Sequence, residues 1–181
     1  MKAPYLTSER LLFKPISIDH LSDNYLNWLN DYEVIKFLES DADYNIDSLK
    51  KYILEAQQKD IYFWGIHLKE NGLHIGNIKI DPINLKHGLG EYGILMGNRL
   101  VWGKGYAKEA SIEIINYCFH ELKLRKITLG VVEDNIAAVS LYKKIGFLIE
   151  GCYINHGFYD GRYCNILRMA LFKNSFEYDR L

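Results

Sequence analysis

Apolar side chains recur at three- and four-residue intervals through the first third of the chain: Leu21, Tyr25, Trp28 and Leu29, then Val34, Phe37 and Leu38, then Leu49, Ile53 and Ala56. That spacing puts each set on one helix face, so this region is predicted helical, with Asp47 or Ser48 offering a cap to its last helix. The period then changes. Ile61–Leu68, Leu73–Asp81 and Glu91–Met96 are rich in strand formers, and Asn71-Gly72 fits a hairpin turn between the first two. From Lys104 to Leu122 helical spacing returns, with Ala107, Ala110, Ile114, Cys118 and Leu122 in one stripe that Ile115 and Phe119 widen. Lys126–Val132 reads as a strand, Asn135–Ile145 as a helix closed by Gly146, and Phe147–His156 and Arg162–Phe172 as two strands joined through Asp160-Gly161. With three prolines, and neither a repeat nor a low-complexity linker, residues 1–181 are predicted to form a single domain.

Charge narrows the classes of partner. The 181 residues carry 22 Lys and Arg against 23 Asp and Glu, a net charge of −1, which offers no excess to hold a polyphosphate backbone or an anionic membrane surface. The apolar runs are far shorter than the roughly 18 residues of a membrane span, and residues 1–10 lack the apolar core of a signal peptide. A soluble cytoplasmic protein is expected, without nucleic-acid or membrane partners. Cys118, Cys152 and Cys164 form no Cys-x-x-Cys pair, and the six histidines form no His-x-x-x-His or His-Glu-x-x-His pair, so neither a disulfide framework nor a metal centre is predicted. The balance is uneven, however: residues 1–60 hold 11 acidic against 7 basic side chains. Asp31, Glu33, Glu39, Asp41 and Asp43 either line a solvated helix face or border a site for a cationic substrate.

Three glycine patterns invite a phosphate reading, and one sustains it. Gly88-Leu89-Gly90-Glu91-Tyr92-Gly93 spells G-x-G-x-x-G but leads into a strand instead of opening a helix, so it reads as a hairpin turn. Gly97 to Gly103-Lys104 imitates a P-loop with one residue too many between the glycines. Gly105 also stands where that loop needs a magnesium-binding hydroxyl, which argues against nucleotide hydrolysis. Trp102-Gly103-Lys104-Gly105-Tyr106-Ala107 lies between a strand and a long helix. Backbone N–H groups at such a helix start lack intrahelical partners and can hold a phosphate with little side-chain charge. A ligand-free flexible loop is the competing reading. Downstream, Asn135 and Tyr142 are seven residues apart and fall within about 20° of each other around a helix. By themselves they read as a helix cap and an amphipathic core residue.

In combination these segments resemble the GNAT superfamily of acyl-CoA N-acyltransferases. The resemblance is to the branch of ribosomal-protein alanine, spermidine and nucleotide-linked amino-sugar N-acetyltransferases, and it covers essentially the whole chain. Leu6-Thr7-Ser8-Glu9-Arg10-Leu11 looks like that branch's opening strand and Trp28-Leu29-Asn30-Asp31 like its early helices. Trp102–Ala107 looks like its pyrophosphate loop, Asn135–Phe147 like its second cofactor motif, and Phe158–Tyr163 like its final hairpin. The resemblance implies an α+β fold: a mixed, mostly antiparallel central sheet, splayed between its fourth and fifth strands, with helices on both faces. It implies acetyl-CoA as cosubstrate and no metal. The pyrophosphate would sit on the N–H groups of Gly103, Lys104, Gly105, Tyr106 and Ala107, the pantetheine arm along the backbone of Leu95 and Met96 and beside Asn135.

The implied reaction is direct attack of a neutral amine on the thioester through a tetrahedral oxyanion. Tyr142 matches the family's thiolate-side acid, and Glu91 is the best-placed carboxylate for the base that deprotonates the amine. Leu100 stands where many relatives carry Gln or Arg, which removes one side-chain phosphate contact. Tyr153, His156 and Phe158 are candidates for the acceptor mouth. The acceptor is a small-molecule or peptide primary amine: a protein N-terminus, an amino-sugar nucleotide or a polyamine. A homodimer is compatible with the sequence. The alternative is an acyl-CoA-binding module without catalysis.

Overall fold

Local signals set most element ends. The computed structural model describes residues 3–39, 43–59 and 61–176. Ser22 caps α1 (Asp23–Leu29) by accepting from the Tyr25 N–H, and Asp31 caps α2 (Tyr32–Ile35) by accepting from Glu33. The cap of α3 (Ile46–Gln58) is Asn45, neither Asp47 nor Ser48. Asn45 Oδ1 accepts from the Ser48 N–H at 2.9 Å while Ser48 Oγ accepts from the Asn45 N–H at 2.9 Å, and this reciprocal box satisfies two donors where a single cap satisfies one. The long helix predicted over Lys104–Leu122 is α4 (Tyr106–His120). Helix α5 (Ile136–Ile145) starts after Asn135, whose side chain accepts from Ala138 at 3.2 Å. It stops at Gly146, whose φ of 106° is the left-handed turn that glycine adopts freely.

The strands are β1 (Leu6–Thr7), β2 (Leu11–Pro15), β3 (Tyr62–Leu68), β4 (His74–Asn84), β5 (Leu89–Leu95), β6 (Lys126–Val132), β7 (Leu148–Tyr159) and β8 (Arg162–Phe172). Among the described residues these eight strands, mostly antiparallel, and the five α-helices make a mixed α+β fold. The expected single opening strand over Leu6–Leu11 is broken. The Ser8 N–H donates to the Leu11 carbonyl at 3.1 Å, and the turn so formed separates β1 from β2.

The chain divides into two compact units, Met1–Asp81 with Gly93–Ala110, and Pro82–Tyr92 with Ser111–Leu181. In the first, β1, β2, β3 and β4 pair antiparallel in that order. Its helices bury Tyr25, Trp28, Leu29, Val34, Ile35, Leu49, Ile53 and Ala56 together with Ile16 and Phe63; of the other positions on the helical period, Leu21 and Leu38 pack against this cluster half-buried and Phe37 is half-buried outside it. Each buried Val, Leu, Ile or Phe among them stabilises the unit by roughly 1.5–3 kcal/mol. Gly97 lies against Trp28 so closely that a Cβ would come within 2.0 Å of the indole.

In the second unit the Leu89–Glu91 part of β5 pairs parallel with β6, which requires a crossover, and α4 lies in that connection along the chain. Their ladder covers Leu89–Glu91 against Lys126–Thr128 and then stops, although β5 continues to Leu95 and β6 to Val132. β6 keeps its antiparallel partner β8 along its whole length, and β8 in turn pairs with β7. The Asp160-Gly161 turn has φ of 53° and 73°, the positive pair of a two-residue hairpin. The three cysteines are free. Among the described residues no helix is long and apolar enough to cross a membrane.

Candidate active site

The loop ahead of α4 has the backbone that its glycines suggest. Gly103 and Gly105 have φ of 75° and 83°, and a Cβ at Gly103 would meet nothing within 4 Å. The contacts that hold the loop come from the other end of the first unit. Glu109, in the first turn of α4, accepts from the Arg10 N–H, the Arg10 Nε and the Ser8 hydroxyl, each at 2.7 Å. Arg10 also donates to the Lys104 carbonyl at 3.1 Å, and its guanidinium lies 4.4 Å over the Tyr106 ring. Burial pushes the Glu109 carboxyl up, but the Arg10 N–H, the Ser8 hydroxyl and the Arg10 guanidinium outweigh it and hold the group below its ordinary value. The Arg10 charge is therefore matched by Glu109.

Around this loop the other predicted positions are variously engaged. Leu100 is 83% exposed, and its N–H donates to Asn98 Oδ1 at 3.0 Å. Arg99 pairs with Asp31 at 3.3 Å and lies 5.9 Å from the Trp102 ring. Trp102 Nε1 donates to the Met96 carbonyl at 2.8 Å, and the Leu95 carbonyl lies where a Cβ on Gly76 would come within 2.3 Å of it. Gly76 is thus what lets the Leu95 backbone approach. Of the acidic group, Asp31 is matched by Arg99 and Glu33 by Lys36 at 2.9 Å, whereas Glu39 and Asp43 are exposed. Asp41 lies outside the described residues.

The second unit carries the two predicted catalytic side chains. Tyr142 is buried on α5, its ring edge-on to Tyr92 at 5.9 Å and tilted against Phe147 at 5.8 Å. Burial pushes its phenol up to about 12, so the hydroxyl keeps its proton at neutral pH. Tyr92 is also raised by burial, and its hydroxyl meets Ser111 Oγ at 2.6 Å. Glu91 receives a two-pronged ion pair from Arg168 at 2.8 and 2.9 Å, with the Thr128 hydroxyl at 3.4 Å. The hydrogen bond to Glu91 is the main cause that raises Arg168. Asn135 is the cap that its sequence context suggests. Tyr153, His156 and Phe158 lie on β7, with Tyr153 and His156 in ring contact at 4.9 Å and Phe158 against Tyr163 at 5.2 Å.

Two ion pairs carry no signal along the chain. Arg10 and Glu109 stand 99 residues apart and Glu91 and Arg168 77 apart, and no periodicity or motif links either pair. The histidine spacings likewise give no hint that the first unit gathers His20, His67 and His74.

Residues 10–148 match the family model described as an acetyltransferase (GNAT) domain. The spermidine N(1)-acetyltransferase of Escherichia coli (strain K12) is 32% identical over 106 residues, 59% of this chain and 56% of that protein, so this chain spans little more than half the relative's length. The uncharacterized N-acetyltransferase p20 of Bacillus licheniformis is 28% identical over 178 residues, 94% of this chain and 97% of that one. Among solved structures, the spermidine N-acetyltransferase from Vibrio cholerae in complex with CoA and spermine has the same fold, with a TM-score of 0.84 at 24% identity. That likeness covers 93% of this chain and 98% of that one.

Proposed function

The chain belongs to the GNAT acetyltransferase family, and we propose that it transfers the acetyl group of acetyl-CoA to a primary amine of a polyamine, with residues 1–181 acting as a single domain. The observation that carries the reading is the loop of Gly103 and Gly105, with left-handed backbone at the head of a long helix and braced by Arg10 and Glu109. It suits a pyrophosphate cradled by the N–H groups of Gly103, Lys104, Gly105, Tyr106 and Ala107. In this reading the backbone of Leu95 and Met96 flanks the pantetheine arm. A polyamine is the acceptor that best suits the acidic first third, with Glu39 and Asp43 exposed there, and it is what the named Escherichia coli relative acts on.

In the proposed reaction the amine nitrogen attacks the thioester carbon, the C–N bond forms, and the C–S bond breaks as the oxyanion collapses. Tyr142, protonated at neutral pH, donates to the departing thiolate. Burial that raises the phenol also raises a thiolate placed beside it, which brings the two proton affinities closer. The proton lost by the amine passes through water to Glu91. The test has two stages. Calorimetric titration should show one acetyl-CoA per chain, and a panel of spermidine, an amino-terminal peptide and an amino-sugar nucleotide should release free thiol fastest with spermidine. Absence of acetyl-CoA binding would sink the reading; faster turnover of the peptide or the sugar would move the acceptor.

A second reading, an acyl-CoA-binding module without catalysis, is favoured by one observation: both Glu91 oxygens are already engaged by Arg168. Acetyl-CoA binding with no acetylation of any amine in the panel would select it.

A further inference from the structure

His67 and His74 are cross-strand partners on β3 and β4, with rings stacked 4.8 Å apart at 19°. His20, in the short turn Ile18–His20, meets them edge-on at 5.2 and 5.0 Å. Its ring lies over Gly65, where a Cβ would come within 2.3 Å of His20 Nε2, so only glycine leaves it that place. One ring nitrogen from each histidine lies within 4.8 Å of the others.

The hydrogen bonds decide which nitrogens are left. His74 Nε2 faces two acceptors, the Gly76 carbonyl and Asn77 Oδ1, both at 3.0 Å, so it carries the proton and Nδ1 holds the lone pair. His67 Nδ1 donates to the Gly65 carbonyl at 3.2 Å, which leaves the lone pair on Nε2. His20 Nδ1 lies 3.1 Å from the Ser17 N–H and 3.2 Å from the Ser17 carbonyl, so either tautomer is supported. The one with Nδ1–H on the carbonyl frees Nε2. His20 Nε2 and His74 Nδ1 are both buried without a hydrogen-bond partner. Two orphaned ring nitrogens beside a third, each ring held from behind by a backbone carbonyl, is the arrangement found around metal-ligating imidazoles.

We propose that His20, His67 and His74 form a three-imidazole site for a borderline divalent transition-metal ion, Zn2+ foremost. Tetrahedral ligation with metal–nitrogen distances of about 2.0–2.1 Å brings the nitrogens to roughly 3.3 Å from one another, so the rings close inward on binding. Burial keeps all three rings neutral, the ligating form, with His67 lowered to about 4 and His74 to about 3. Trp28 at 4.8 Å and Tyr25 at 5.5 Å cover His74 and supply the apolar shell that tightens such a site. The ion would tie the turn at His20 to the β3–β4 hairpin. This role is independent of acetyl transfer.

The test uses the full chain, stripped with chelator and titrated at about pH 7 with Zn2+ by calorimetry and with Co2+ by visible absorption. One equivalent per chain, the d–d bands of tetrahedral Co2+ and a raised thermal midpoint are expected. His74→Gln should weaken binding at least about tenfold, while His87→Gln, at an exposed histidine, should leave it unchanged. Nitrogen-15 spectra of the unsubstituted protein need no variant: Zn2+ should shift the ring resonances of His20, His67 and His74 and spare those of His87, His120 and His156. No stoichiometric binding, or binding that shifts only the exposed histidines, overturns the proposal and leaves an ordered water as the bridge between the orphaned nitrogens.

Discussion

Glu109→Ala tests how the loop ahead of α4 is held. The substitution removes an acceptor from three donors, each now at 2.7 Å: the Arg10 N–H, the Arg10 Nε and the Ser8 hydroxyl. A hydrogen bond to a charged group contributes about 1.5–3 kcal/mol when well shielded. The Arg10 side chain is 44% exposed, however, so its ion pair is worth at most about 1 kcal/mol, and water will partly replace the carboxylate at the other two donors. A net loss of about 2 kcal/mol follows, or a fall in melting temperature of roughly 4–8 °C for a chain of this size. The effect should depend on pH in one direction. Because the folded Glu109 carboxyl lies below its ordinary value of 4.5, its contribution is fully present above that pH and disappears as the pH falls through the folded value. Thermal unfolding followed by circular dichroism at neutral and acidic pH measures both quantities. A melting temperature within about 1 °C of the parent at neutral pH, or an equal deficit at both pH values, would refute the assigned brace.

Tyr142→Phe keeps the buried ring and removes the hydroxyl, so turnover on the true acceptor should fall by about 10²–10⁴ while acetyl-CoA affinity, measured by calorimetry, holds. Unchanged turnover would remove Tyr142 from the acid role. Gly105→Ala places a side chain at a φ of 83° and should cost about 1–2 kcal/mol of stability together with a weaker acetyl-CoA titration. Gly97→Ala drives a methyl group to within 2.0 Å of the Trp28 ring and should destabilise the first unit by several kcal/mol. A small shift in its denaturation midpoint would show that Trp28 moves aside easily.

The pattern of apolar positions was enough to find the elements from α1 onward, because helix and strand periods are written between near neighbours; β1 and β2 lie outside it. Tyr25, Trp28, Leu49 and Ile53 were marked for the core by spacing alone, and all are buried. Glycines at 72, 146 and 161 announced their turns through the positive φ that other residues resist. Element ends were less legible. Asn45 prevailed over Asp47 and Ser48 as a cap because a capping box depends on a reciprocal pair of hydrogen bonds, which composition does not rank. The turn that separates β1 from β2 is closed locally by the Ser8 N–H on the Leu11 carbonyl, but Ser8 and Arg10 are further held by Glu109, far along the chain.

For the candidate site, the motif at Trp102–Ala107 and the spacing of Asn135 and Tyr142 were readable as local backbone chemistry. Which charges neutralise one another was not. Arg10 with Glu109, Glu91 with Arg168, Asp31 with Arg99, and His20 with His67 and His74 are all pairings made by folding. Helices, strands, turns and the glycine-rich loop ahead of α4 are legible along the chain, since each depends on steric and hydrogen-bonding preferences within a few residues. Which remote charges come to neutralise one another is settled by folding. Coulombic and hydrogen-bonding energies depend on distance through space, and residues remote along the chain reach contact distance only when the apolar faces they are mounted on pack together.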